Sequence, residues 1–340
     1  MIVVQTRGGF EETAHPVSAA AVHIADDGQP AVVATAGPPR TSPWRSAGKP
    51  WQLLSALHAI GEAAGRSADA VAAGVEPAVL ALGASSHSGE AGHTAAVEAL
   101  LAGWGFSASD LRCGAEPPAH APTHAGLLAA GGQPSALHND CSGKHAFMLG
   151  ACRARGWSTD YLPTDHPLQQ RIIGAVARAT GVAPGLAIDG CGVPTFVLSV
   201  AAMATAWARL AAAMGGSLGH DTPADTAALG RIGRAMAANP WWVSGTGRID
   251  AHFAAAAAEP ILTKIGAQGV FNVALPARRL GLALKVHSGD DAAVAVAAEA
   301  WIRAVAPGAL RADVLNPWAV ASNVVGRPIG ARLVTGLNGV

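Results

Sequence analysis

Ser46 stands three residues ahead of Lys49 in Ser46-Ala47-Gly48-Lys49, at the start of a stretch with helical spacing. Residues three apart on a helix share a face, which brings a hydroxyl and an amine within hydrogen-bond reach. A serine alcohol is a weak nucleophile at neutral pH, and a desolvated, neutral lysine can take its proton. Alone the pattern is common, and a solvated lysine near a helix cap is the blander reading. Two further pieces follow. Ser86-His87-Ser88 forms a polar turn, and Lys264-Ile265-Gly266 lies in a strand-like run where Gly266 lets a substrate amide approach the backbone. Singly, a capping serine and a surface lysine account for them. Together, and in this order, Ser46, Lys49, Ser86 and Lys264 point to nucleophilic catalysis. The order along the chain is a Ser-x-x-Lys, then a second polar triplet, then a Lys-Ile-Gly strand.

A second constellation is Cys141-Ser142-Gly143-Lys144 with Cys191 in Asp189-Gly190-Cys191. Thiolates are preferred zinc ligands, and a lysine ligates only as the neutral amine. Two buried, unreactive cysteines are an equal reading of the residues alone. His138 and His145 flank the motif as outer partners of a metal or as loop histidines bonded to backbone. Gly143-Lys144 also echoes a phosphate loop, but position 138 is His where that loop needs glycine, which excludes nucleotide binding there. Cys113 and Cys152 read as packing.

The groups need elements to hold them. Ala19–Ile24 and Pro30–Ala36 read as strands. Trp51, Leu54, Leu57, His58 and Ile60 give 49–65 a helical, core-facing pattern. The run Val79–Ala84 reads as a strand ending at the Ser86 turn. The 139–144 segment leads into a helix over 146–155, and the 186–194 segment leads into a helix over 197–213. Pro260–Ile265, Gly269–Leu275 and Gly281–His287 predict an antiparallel meander. A helix over 292–306 and a last strand region over 323–334 complete the chain. The expectation is one α/β (α+β) domain spanning 1–340, a mainly antiparallel sheet with helices on both faces.

Composition narrows the function. Half of the 340 residues are hydrophobic, 14% are charged and 41 are glycine, as in a chain that buries a large core. Lys plus Arg equals Asp plus Glu at 23 each, so no global field attracts nucleic acid or an acidic membrane. The alanine-rich runs are too short to span a bilayer. With no secretory pattern at Met1–Gly9, the reading is cytoplasmic, with the four cysteines reduced or metal-bound rather than disulfide-linked.

Long motifs then carry a resemblance over nearly the whole chain. Thr6-Arg7-Gly8-Gly9 with His15, Arg45-Ser46-Ala47-Gly48-Lys49-Pro50, Ala84-Ser85-Ser86-His87-Ser88-Gly89-Glu90, Asn139-Asp140-Cys141-Ser142-Gly143-Lys144-His145, Asp189-Gly190-Cys191-Gly192-Val193-Pro194 and Lys264-Ile265-Gly266-Ala267-Gln268-Gly269 resemble the class 3, rhizobial-type L-asparaginases of the asparaginase II family. The resemblance implies a serine β-lactamase/penicillin-binding-protein-like α/β/α sandwich, a homodimer, and hydrolysis of L-asparagine to L-aspartate and ammonia. It implies two Ser-Lys tandems, Ser46 with Lys49 and Ser86 with Lys264, and Zn2+ on Cys141, Lys144 and Cys191 with Asp189 beside it. Arg45, His87, Asp189 and Gly266 are the candidate substrate-binding residues, Arg45 for the carboxylate, which a guanidinium grips bidentately. Thr13, where a serine is commoner, and Gly48 depart from the family pattern without removing a reacting group. Two other readings compete: another serine amidohydrolase of the penicillin-recognising type, and an inactive zinc-containing binding protein.

Overall fold

The structure, a computed structural model, describes residues 1–216 and 224–337. Four strands open the chain: β1 (Ile2–Arg7), β2 (Phe10–Ile24), β3 (Pro30–Ala36) and β4 (Thr41–Pro43). A 3-10 turn, Arg45–Gly48, runs into α1 (Lys49–Ala63). There follow α2 (Ala68–Ala73), α3 (Pro77–Gly83), α4 (Ala91–Gly103), α5 (Ala121–Ala129), α6 (Ser142–Arg155) and α7 (Pro167–Thr180). Next come β5 (Gly185–Ile188), β6 (Pro194–Ser199), α8 (Val200–Met214), α9 (Ala224–Ala238), α10 (Pro240–Ser244) and α11 (Ile249–Ala256). The chain closes with β7 (Leu262–Gly266), β8 (Val270–Leu275), β9 (Leu280–Val286), α12 (Asp291–Val305), β10 (Val320–Ser322) and β11 (Pro328–Thr335).

These elements form two compact units, neither continuous in sequence: of the described residues, 1–47, 197–215 and 253–337 make the first, 48–196, 216 and 224–252 the second. The first holds an eight-stranded sheet ordered β10-β11-β1-β2-β9-β8-β7, with β3 paired to β2. The pairings along it are antiparallel, as expected of this mixed α/β fold. Every residue of β7, β8 and β9 is buried. Successive side chains of a strand point to opposite faces, so both faces are covered there. Helices α8 and α12 of this unit pack on the sheet. Gly281 on β9 is where α8 comes closest, since a Cβ there would overlap the Ala208 backbone nitrogen.

The second unit is helical around α1, which packs against α2, α6, α7 and α9. Pro50 in its first turn supplies a preset helical φ, and all but one residue from Lys49 to Gly61 is buried. Helix α6 ends at Gly156 in the left-handed region (φ 65).

Several expected elements differ. The run 79–84 is helix α3, not a strand. Pro77 opens it, and Gly83 takes the Phe147 ring of α6, where a Cβ would lie 2.6 Å from the ring. A short, wholly apolar run has no periodicity to separate a buried strand from a buried helix. The helix expected from Val197 starts at Val200 instead, because Pro194–Ser199 is strand β6 and the Ser199 hydroxyl caps the helix by accepting from the Ala202 amide. Ser46 lies in the 3-10 turn, ahead of the α-helix that Lys49 begins.

Candidate active site

In the first unit, three contacts tie down the backbone around Ser46. Trp44 is fully buried, and its indole Nε1 donates to Asn272 Oδ1 of β8 at 3.1 Å. Trp207 of α8 donates to the Ala47 carbonyl at 3.2 Å. Gly266 completes the fit: a Cβ there would sit 2.9 Å from the Trp44 oxygen and 3.4 Å from the Ala47 nitrogen. The glycine of the Lys-Ile-Gly strand therefore lets β7 lie against the backbone on either side of Ser46. Arg45, immediately before the serine, has φ 54. Such a left-handed non-glycine residue carries strain of about 1–3 kcal/mol and is held only by its surroundings. Lys264, fully buried on β7, faces Asn272 in the strand register and donates to the Ile265 carbonyl at 2.8 Å.

In the second unit, Lys49 is also fully buried. Its Nζ bonds Ser86 Oγ at 2.9 Å, the Ser85 carbonyl, and the Asp140 carbonyl at 3.5 Å. An ammonium fills this cage by donating three times. A neutral amine fills it equally well, donating to the two carbonyls and accepting the Ser86 hydroxyl proton on its lone pair. The cage thus offers a partner to each hydrogen or lone pair in either form.

The turn carrying Ser86 is held by its backbone. Its amide donates to the Val243 carbonyl of α10 at 2.9 Å, and the His87 amide donates to the Asp140 carbonyl at 3.3 Å. His87 is buried with both ring nitrogens engaged: Nδ1 accepts from the Gly89 amide at 3.1 Å, so Nε2 carries the hydrogen and donates to Ser142 Oγ at 2.8 Å. Burial, then the charge of His93, push its pKa down to about 3, and the ring is neutral. His87 thereby joins the Ser86 turn to the start of α6.

That start of α6 bears the thiol cluster. Cys141, Lys144 and Cys191 are all buried, and Lys144 Nζ lies 3.2 Å from Cys191 Sγ. Cys141 and Cys191 are pushed in opposite directions, Cys141 up and Cys191 down. The hydrogen bond from Cys141, then Lys144 and His145, hold Cys191 low against burial, while Cys191 and burial push Cys141 up. Burial alone would lower Lys144, but Cys141, Cys191 and Asp189 outweigh it and keep the ammonium charged. Asp189, half-exposed, turns its carboxylate back onto the Gly190 amide at 2.8 Å. The Tyr161 hydroxyl accepts from the Arg112 amide and reaches His145 Nδ1, both at 2.9 Å. His145 Nε2 makes no hydrogen bond of normal geometry and interacts with the Cys191 sulfur. Cys113 and Cys152 are buried free thiols whose pKa burial raises to about 12, consistent with packing.

The family model for L-asparaginase II matches residues 3–330. The chain belongs to that family. Its members' activity makes it a hydrolase acting on the amide of asparagine. Among solved structures, the native form of Mglu is similar at 14% identity, with 90% of this chain and 68% of that one covered and a TM-score of 0.45. No curated protein matches. Among the described residues, no helix is long and apolar enough to cross a membrane.

Within this L-asparaginase II chain, several residues that build the site went unmarked in the sequence. Trp44, Asn272 and Trp207 fix the Ser46 turn, Val243 fixes Ser86, and Tyr161 fixes His145. Each acts through a hydrogen bond to a partner 16 or more positions away, and no local pattern encodes that. The tryptophans at 44 and 51, on either side of the Ser-x-x-Lys motif, are a signal of the site that the sequence reading did not use.

Proposed function

We propose that the chain hydrolyses L-asparagine to L-aspartate and ammonia through an acyl-enzyme on Ser46. Ser46 Oγ attacks the side-chain amide carbon while its proton passes to the Lys49 amine. The proton moves through Ser86, with Lys264 as the second lysine, to the amide nitrogen. The C–N bond then breaks, ammonia leaves, and an ester remains on Ser46. Water attacks that ester, giving a proton back along the same groups and freeing the aspartate carboxylate. The bond of 2.9 Å between Lys49 Nζ and Ser86 Oγ carries this reading, because it is the link through which a proton leaves the base. The strained Arg45 supports Ser46 as the nucleophile, since strain of this kind gathers where a side chain must be presented. Arg45 is assigned to the substrate carboxylate, and Gly266 and Asp189 to the substrate's surroundings. His87, with both nitrogens committed, serves by orienting the Ser86 turn.

The residues at the thiol cluster fit a zinc ion. Two buried thiols are the soft donors that zinc selects, and Lys144, whose Nζ lies 3.2 Å from Cys191 Sγ, would join them by giving up the proton that the thiol side holds on it while no cation is bound. Cys141, Lys144 and Cys191 would hold it, and the ion would supply a fixed positive charge that orients the substrate's α-amino or α-carboxylate end. Among the described residues no three His, Cys, Asp or Glu side chains gather as a metal site, so the lysine is essential to this assignment. Homodimeric assembly, a cytoplasmic location and one functional domain over 1–340 belong to the same proposal.

The test is ammonia release from L-asparagine, L-glutamine and nitrocefin by wild type and Ser46→Ala, with mass-spectrometric mapping of any trapped acyl adduct. Release from asparagine, lost in Ser46→Ala and with the adduct on Ser46, supports the reading. An adduct on Ser86 reassigns the nucleophile. Turnover of nitrocefin favours a penicillin-recognising amidohydrolase, and silence on all three substrates favours a binding protein.

A further inference from the structure

Glu90 follows the Ser86 turn at the N-terminus of α4, and its carboxylate is held by a set of bonds that the chemistry above does not use. Oε1 accepts from Ser88 Oγ at 2.6 Å and from the Thr246 amide at 2.9 Å, and Oε2 accepts from Thr246 Oγ1 at 2.9 Å. His120 Nδ1 lies 3.8 Å from Oε2. The side chain is 15% exposed. These bonds join the 88–90 segment to the turn that ends α10. The approach is so close that a Cβ on Gly245, itself at φ 98, would overlap Ser88 Oγ.

Helix α10 is the element whose Val243 carbonyl receives the Ser86 amide. The same helix is stitched to α4 at its other end. Trp241 stacks on His93 with ring centroids 3.9 Å apart, His93 Nε2 donates to the Trp241 carbonyl at 3.1 Å, and a Cβ on Gly92 would meet the indole at 2.8 Å. His93 in turn stacks on His87 at 5.1 Å. Trp241 Nε1 donates to Thr246 Oγ1 and closes the ring of contacts. Of these fastenings, Glu90 is the one that carries a charge.

We propose that Glu90 is a positioning residue for Ser86: its carboxylate locks the Gly245–Thr246 turn, and α10, so held, fixes the Ser86 backbone in register with Lys49. Glu90 contributes no proton and touches no reacting atom. The inference rests on the reading that Ser86 relays the proton from Lys49. A glutamine at position 90 can keep every bond, since its oxygen accepts from Ser88 and the Thr246 amide while its NH2 donates to Thr246 Oγ1. An alanine keeps none.

The experiment compares kcat, KM and Tm for wild type, Glu90→Ala, Glu90→Gln, Ser86→Ala and the Glu90→Ala/Ser86→Ala double variant on L-asparagine. Misplacement of a reacting group by about an ångström costs on the order of 100-fold. Glu90→Ala is expected to lose kcat on that scale with KM within about twofold, and Glu90→Gln to recover most of it. In the double variant the Glu90 substitution adds no loss to that of Ser86→Ala. Unchanged kcat in Glu90→Ala overturns the inference, as do losses that add in the double variant. If Glu90→Ala does not fold, Thr246→Val takes its place: it removes one of the carboxylate's bonds and is expected to lower kcat about tenfold by the same effect. Full turnover by Ser86→Ala would remove the relay reading itself and this inference with it, which separates the two failures.

Discussion

Lys49 Nζ, on the first residue of α1, lies 2.9 Å from Ser86 Oγ, on the turn after α3, although the two are 37 positions apart in the chain. The amine is enclosed by the Ser85 and Asp140 carbonyls, which bond it in either protonation state. Substituting Lys49 by methionine removes both the proposed proton acceptor and the cage's occupant. General-base groups typically contribute about 10²–10⁴-fold, and kcat for ammonia release is expected to fall by that much. Lys49→Arg is expected to be as slow, because a guanidinium stays protonated at neutral pH. Recovery of activity in the arginine variant would show that charge, rather than proton transfer, is what position 49 supplies.

Gly266 holds the Ser46 turn by having no side chain. In Gly266→Ala the new methyl meets the Trp44 carbonyl and the Ala47 nitrogen, both of them backbone, so either β7 or the turn must move. Overpacking of this kind costs about 1–3 kcal/mol. Tm is expected to drop by several degrees, and kcat by more than that loss of folded protein explains. A variant with lowered Tm but full kcat per folded molecule would separate Gly266 from catalysis.

Acid should weaken the fold through His87. Burial first, then His93, depress its pKa to about 3, below the value of about 6.5 for a free imidazole. Between those values the unfolded chain binds a proton that the folded chain does not. Stability is therefore complete above about pH 6.5 and falls as pH drops toward 3, by at most about 1.4 kcal/mol per pH unit for this one group. His87→Gln, whose amide can still donate to Ser142, should show a shallower decline of Tm between pH 7 and 4. Parallel declines in the two proteins would assign the acid sensitivity to other groups.

Zinc content gives a reading that does not depend on turnover. Protein purified with zinc in the medium is expected to carry about one ion per chain by elemental analysis, the stoichiometry of a single tetrahedral site. Cys141→Ala and Cys191→Ala should carry none, whereas Cys152→Ala, which alters a packed thiol of α6, should keep it. Equal zinc in all four proteins would place the ion elsewhere.

Much of this architecture is legible locally. Helix α1, the β7–β9 meander and α12 follow from apolar spacing, a proline in the first turn of α1, and the Gly266-Ala267-Gln268-Gly269 segment between β7 and β8. The reacting residue types and their order stand in the linear sequence, and so does the absence of a charge field that would suit a polyanion. These properties depend on neighbours within a few positions or on composition, which is why a single chain suffices to read them.

Tertiary structure decided the rest. An apolar run as short as α3 takes its conformation from what it packs against, here α6 and α9, and its own residues suit a strand as well. Spacing alone directs attention from Lys49 to Ser46, while the cage of Lys49 is made by Ser85, Ser86 and Asp140 from other parts of the chain. Cys191 meets Lys144 only because β5 and its following loop bring its thiol to the start of α6. Trp44 reaches Asn272 across 228 positions. Each of these contacts closes a long loop, and its energy depends on the whole core being in place, so the sequence names the chemical groups while the fold selects their partners.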